Sequence, residues 1–240
     1  VPPFDQIKFE HYKPALLQGM EEGRKEIEAI VNNPDEPTFE NTILAYDNAG
    51  QMLAQTELIF GMLCAAETNE RMQALQEQVM PLLSAHRDKI RLDEKLFARV
   101  KDVYDRRASL GLDAEQSRLL RKTYDAFVRS GALLDAGQKA RLKEINGELS
   151  LTAVKFGNNI LAENNNFALE LTADDLEGLP SGVRDAAREK AQAMGKGDKW
   201  VFTLHKPSLI PFLTYSAKRD LREKIYKAYL NRCNNGDQYD

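Results

Sequence analysis

The chain is poor in the residues that most readily carry chemistry, with 2 cysteines, 3 histidines and 1 tryptophan in 240 residues. Cys64 and Cys233 lie in unrelated segments without CxxC spacing, which gives no support to a disulfide framework, a zinc knuckle or a redox pair. Free buried thiols are the expectation. His11, His86 and His205 are equally scattered, none with a partner at i+4 or a neighbouring cysteine, and there is no HExxH. A zinc site on one helix needs two imidazoles one turn apart so that both lone pairs converge on the ion. Each histidine therefore reads as a satisfied surface or boundary residue.

Long apolar runs are also missing. The longest, Leu58 to Ala66 with Gly61 inside it, is too short to cross a bilayer and has the look of a buried helix segment. Nor is there an excess of positive charge: 33 Lys plus Arg against 37 Asp plus Glu leave a net charge of −4, so no field exists to hold nucleic acid or anionic lipid. Only 14 Gly and 9 Pro exclude collagen-like and low-complexity classes, and 42% hydrophobic residues are enough to build a core. The N-terminus, Val1-Pro2-Pro3-Phe4, carries neither an initiator Met nor an apolar signal core. The expected compartment is the cytoplasm, or the periplasm if a signal has been removed.

What is present is helical periodicity. From Thr38, an N-cap, the residues Phe39, Tyr46, Leu53 and Phe60 recur every seven and predict one long helix. Asn69 to about Ile90 predicts a second, kinked or interrupted at Pro81. Asp93 can cap a third, bearing Leu96, Phe97, Val100, Val103 and Tyr104. Asp113 with Gln116 makes a capping-box start for a fourth, which buries Leu119, Leu120, Thr123 and Phe127 and ends at Gly131. A fifth, from about Ala136 to Leu161, places Leu142, Leu149 and Phe156 at heptad spacing, with Ile145 and Ile160 alongside.

The period then changes. Phe167, Leu169 and Leu171 alternate with polar or small residues, as do Trp200, Phe202 and Leu204, which predicts two paired strands near 167–172 and 199–204. Between them Ser181 to Gly195 reads as an Ala-rich helix closed by the turn Gly195-Lys196-Gly197. A last helix from about Ser208, interrupted at Pro211, carries Leu221, Ile225, Tyr226 and Tyr229 to Arg232. The polar tail 234–240 has no packing signal. The expected fold class is mainly α, a long-helix up-and-down bundle with one small two-stranded β element. It is read as one continuous region over 1–240, with two lobes split near Asn164 to Asn166 as the alternative.

No G-x-S-x-G, P-loop or G-x-G-x-x-G occurs, and the carboxylate neighbours Glu21-Glu22 and Asp174-Asp175 suit solvation or helix starts better than acid/base work. Arg118, Arg121, Lys122 and Arg129 on one helix, and Lys218, Arg219, Arg222, Lys224 and Lys227 on another, read as solvated faces. A basic wall for acidic or C-terminally free peptides is the alternative. Tyr226 and Tyr229 suit a core or boundary. The asparagines at 158, 159 and 164–166 suit a helix end. No catalytic, cofactor-binding or metal-binding residue is assigned.

Five stretches go further. They are Phe4-Asp5-Gln6-Ile7-Lys8-Phe9-Glu10-His11-Tyr12-Lys13-Pro14-Ala15, Pro37-Thr38-Phe39-Glu40-Asn41-Thr42-Ile43, Lys143-Glu144-Ile145-Asn146, Trp200-Val201-Phe202-Thr203-Leu204 with Pro207-Ser208-Leu209-Ile210-Pro211-Phe212-Leu213, and Leu221-Arg222-Glu223-Lys224. Together they resemble the N-terminal part of the thimet oligopeptidase family of zinc metallopeptidases. The nearest branch is peptidyl-dipeptidase, also called dipeptidyl carboxypeptidase, with oligopeptidase A second.

The resemblance runs through essentially all 240 residues in order. It implies long helices forming one wall of a deep channel that admits short unfolded peptides. It also implies a C-terminal catalytic half of the same protein, which brings the HExxH helix, the third glutamate ligand, the catalytic tyrosines and the zinc. None of these motifs has a counterpart here, so the chain alone is expected to be inactive, and zinc belongs to the full-length enzyme. The alternative is a stand-alone helical peptide-binding or scaffold module without catalysis.

Overall fold

The computed structural model describes residues 2–240. It is mainly helical with one small antiparallel sheet, in two compact units, one ending at Val154 and one running from Lys155 to Asp240.

The first element, α1 (Phe9–Val31), has no counterpart among the helices that the sequence periodicity predicts. Its signal is the helical spacing of Tyr12, Leu16, Gly19, Gly23, Ile27 and Ile30, all buried. Glycine at two of these positions weakens an apolar stripe as a pattern, yet it suits close packing.

The single long helix expected from Thr38 is three pieces: a π-helical turn Phe39–Leu44, α2 (Ala45–Asn48) and α3 (Gln51–Ala66). Thr38 caps the first as expected, accepting from Asn41 N at 3.0 Å, and the Asn41 side chain returns the bond to Thr38 N at 2.8 Å. The helix breaks because Ala49 is extended and Gly50 turns left-handed (φ 76°). The Gly50 amide then donates to Glu26 of α1 at 2.6 Å, a bond that an unbroken helix could not make. The seven-residue repeat thus serves two cores. Phe39 and Ile43 pack with α5 (Glu94–Asp105) and α6 (Ala114–Arg129), while Leu53 and Phe60 pack with α1 and α4 (Glu70–Arg91).

α4 runs through Pro81 without the interruption that was one of the two outcomes expected there. An interior proline costs about 3 kcal/mol. Met72, Leu75, Val79 and Leu83, on the same helix, are all buried, and at about 1.5–3 kcal/mol per side chain their packing outweighs the loss. The starts of α5 and α6 follow the sequence closely. Asp93 accepts from Leu96 N at 2.7 Å, and Asp113 exchanges bonds with Gln116. From α5, Arg99 donates to the carbonyls of Asn33 and Asp35, and Arg106 to that of Pro37 at 2.6 Å, so two side chains fix the loop that delivers Thr38. Among the loop-facing nitrogens, Arg99 Nε is buried without a hydrogen-bond partner.

α7 (Ala136–Asn166) is five residues longer than expected, and its heptad stripe is only partly buried: Leu142 is half-buried, while Leu149 and Phe156 are exposed. The division between the two units falls within this helix.

In the second unit, β1 (Leu169–Leu171) pairs antiparallel with β2 (Trp200–Phe202) in the register Leu169↔Phe202 and Leu171↔Trp200, as the alternation implied. Helix α8 (Ser181–Ala193) covers β2, and α9 (Lys206–Tyr215) and α10 (Arg219–Leu230) complete a core around Phe202 and Phe212, whose ring centroids are 4.5 Å apart.

The expected interruption at Pro211 does not occur; α9 passes through it and the chain breaks at 216–218. A tertiary bond decides this. Ala217 N donates to Glu177 O at 2.9 Å, and the Arg222 guanidinium holds the Ser216 carbonyl. Gly178, left-handed at φ 84°, makes the approach possible, since a Cβ there would sit 2.3 Å from the Tyr215 carbonyl oxygen.

The tail 234–240 stays largely exposed, as its polarity implies, but hydrogen bonds tie it down. Cys233 N donates to Glu163 Oε2 at 2.7 Å, Asn159 to the Tyr239 carbonyl at 3.1 Å, and Asn166 to the Tyr239 hydroxyl. These bonds engage the last turns of α7, which explains its extra length.

Gly178→Ala combines a left-handed backbone with a clash against main chain and is expected to destabilise the protein by about 2–4 kcal/mol. Gly111→Ala, also left-handed but facing open space, should lose only about 1–2 kcal/mol. Urea unfolding of the two variants, read against the unsubstituted protein, checks the difference.

Candidate functional site

The histidines stand apart in the fold as in the sequence. His11 caps α1, its Nδ1 accepting from Lys8 N at 3.2 Å. His86 is half-buried on α4, with Nε2 near Gly23 of α1. His205 precedes α9, its Nδ1 3.3 Å from Thr203 Oγ1. Among the described residues no three His, Cys, Asp or Glu side chains come together in a way that could hold a metal ion. The zinc implied by the family resemblance therefore finds no fitting donor set among the described residues.

Cys64 and Cys233 are free and half-buried rather than fully buried. Burial pushes both thiols above their ordinary pKa, and the Glu163 carboxylate adds to the rise at Cys233, so neither is an activated nucleophile.

The other candidates resolve into structural roles. Glu21 binds Arg24, whose guanidinium holds its carboxyl below the usual range. Asp175 accepts from the backbone and hydroxyl of Thr172, which lowers its pKa in the same way. Arg222 is bound to backbone at the α9–α10 join and Lys227 pairs with Glu223, so the last helix presents fewer free cations than its sequence suggests. Tyr229 lies under the Arg232 guanidinium, 3.8 Å from its ring centroid, at the boundary expected for it. Tyr226 is instead exposed, because the buried face of α10 is centred on Ile225. Gly195 is left-handed (φ 71°), the turn read from its sequence, and Lys196 beside it pairs with Glu170 of β1.

Two recesses combine apolar and polar linings. In the second unit a recess of about 560 Å³ opens between α8 and β2, floored by Val183, Ala187, Val201 and Phe202, with Lys190 and His205 at its mouth. The small residues Gly182, Ala186 and Ala187 on α8 keep it open; the Ala-rich composition of that helix was the available signal. In the first unit a groove of about 410 Å³ lies among α4, the end of α6 and α7. Leu142 and Leu149 form its apolar side, Arg91 and Arg129 its rim, and Asn146 of α7 is tied to Asp88 of α4 at 2.8 Å. Both recesses can hold apolar side chains beside a carboxylate. In the first of them Thr203 Oγ1 and His205 Nδ1 stand 3.3 Å apart, beyond the reach of about 2.6–3.2 Å that a nucleophile–base pair needs.

Comparison with known proteins supplies what the side chains do not. The chain is 38% identical over 240 residues, its whole length, to dipeptidyl carboxypeptidase from Escherichia coli, and 38% identical over 242 aligned positions to that from Salmonella typhimurium. Oligopeptidase A from Salmonella typhimurium is 27% identical over 234 residues, covering 97% of this chain. The chain spans about a third of the length of these relatives. Its whole length is similar to the N-terminal part of thimet oligopeptidase family members. No family model matches it. The relatives are peptidases by name, and no helix among the described residues is long and apolar enough to cross a membrane.

Burial depresses the pKa of His86, so the unfolded chain binds a proton more readily than the folded one. Its contribution to stability is present above the unfolded value and lost as pH falls through about 6.5. Stability followed by urea unfolding should therefore rise from pH 5.5 to 7.5, and His86→Gln should flatten that rise.

Proposed function

We propose that this chain is the N-terminal part of a zinc metallopeptidase of the thimet oligopeptidase family that removes dipeptides from the C-terminus of short unfolded peptides. The observation that carries the reading is the 38% identity to a dipeptidyl carboxypeptidase along the entire chain. The scatter of histidines, thiols and carboxylates agrees with a division of labour in which this region shapes the path of the substrate. The metal and the reacting groups then belong to residues outside it, in the C-terminal catalytic half.

Long helices with buried apolar faces supply what a channel wall needs: a rigid surface that excludes folded proteins by size. The chain by itself is inactive on this reading. The compartment we assign is the cytoplasm.

The test uses the full polypeptide from its source cells, purified intact and given peptides of five to ten residues with free or amidated C-termini. Mass spectrometry should show successive loss of dipeptides from the free C-terminus, abolished by a chelator and restored by zinc. Internal cleavage insensitive to amidation would move the reading to the oligopeptidase A branch. A native polypeptide near 27.2 kDa that hydrolyses none of these peptides would replace it with a stand-alone binding module.

A further inference from the structure

Ile145 and Leu149 lie one turn apart on one face of α7 and are 42% and 62% exposed. Large aliphatic side chains at this spacing normally mark the buried stripe of a helix. Here the stripe has a partner on one flank only. Leu142 is half-buried at the groove of about 410 Å³ that α7 forms with α4 and the end of α6, while Leu149 lines that groove and still faces solvent. At the rim stand Arg91 and Arg129 with Asp88, whose carboxylate accepts from the Asn146 side chain at 2.8 Å, and neither arginine forms an ion pair. Arg91 reaches only hydroxyls, Ser130 Oγ at 3.4 Å and the phenol of Tyr46. An open apolar floor and two guanidiniums without an ion-pair partner in one groove form an incomplete contact surface, one that suits an apolar side chain flanked by Asp or Glu.

We infer that this groove and the Ile145–Leu149 face are covered by a segment of the same polypeptide beyond Asp240, which places an apolar side chain against Leu149 and a carboxylate at Arg91 and Arg129. The inference rests on the peptidase reading and adds to it the surface through which this region docks the remainder of the protein. The relatives that match every residue of the chain extend to about three times its length, so their remaining two thirds are available to supply the cover. A second copy of this chain fits less well. A symmetric pair would bring the same face to itself and set arginines against arginines.

The full-length protein carrying Leu149→Cys tests this directly. A maleimide is added under native conditions, and its rate at position 149 is read by peptide mapping, which separates it from Cys64 and Cys233. Glu144→Cys, on a different and solvent-facing side of the same helix, is the reference. Labelling at 149 should be at least about tenfold slower than at 144, as expected for a site that reacts only when a docked segment opens. The protection should be unchanged on hundredfold dilution, and Arg91→Glu with Arg129→Glu should reduce it while leaving the circular dichroism spectrum intact.

Equal rates at the two positions overturn the inference, and so does protection that disappears on dilution, which would mean a second copy. Dipeptide release by the unsubstituted protein is measured in parallel. Release together with rapid labelling at 149 sinks the docking surface alone, whereas absence of release sinks the peptidase reading on which it stands.

Discussion

The first unit depends on how closely its opening helix can approach the helix that follows the Gly50 break. At Gly19 a Cβ would lie 2.8 Å from Leu53 Cα, so α1 and α3 meet backbone to backbone at that point and no larger residue fits without moving one of them. That contact lets one helix serve two cores. Tyr12 and Leu16 in its first half pack with Phe60 and Val79, while Ile27 and Ile30 near its end pack with Phe39, Leu96 and Phe127. Glu26, between them, takes the Gly50 amide and fixes the place where the chain leaves one core for the other. The arginines of α5 then set the loop that closes the second core.

The second unit is organised by a comparable close approach, Gly178 under the Tyr215 carbonyl, with the Ala217 amide bonded to Glu177. This contact divides the expected last helix into α9 and α10 and lets both join the core built on the two-stranded sheet. The polar tail is held by polar partners. Glu163 accepts from the Cys233 amide and the Asn235 side chain, and Asn159 and Asn166 hold Tyr239. A segment without apolar pattern can thus be fixed by hydrogen bonds to a helix end, a kind of order that hydropathy does not register.

Among the described residues the histidines, thiols and carboxylates stay dispersed, and no three of them could hold a metal ion. The surface carries an open apolar stripe on α7, two arginines that form no ion pair, and a recess beside β2. The similarity to the N-terminal part of much longer peptidases gives those features a context, because large exposed apolar residues commonly mark contact surfaces.

The sequence alone determined the mainly helical class, the paired strands around Leu169–Leu171 and Trp200–Phe202, the caps at Thr38, Asp93 and Asp113, and the family resemblance. These rest on local spacing and on side chains that bond their own backbone three residues away, so a linear reading reaches them. Tertiary structure decided the rest. It broke the helix at Gly50 through Glu26, carried α4 through Pro81 and α9 through Pro211 by packing, and lengthened α7 by tying down the tail. It also left Leu149 and Phe156 uncovered, where their heptad spacing alone implied burial. In each case the deciding partner lies many residues away, and a periodic pattern records that a face is apolar without recording what covers it.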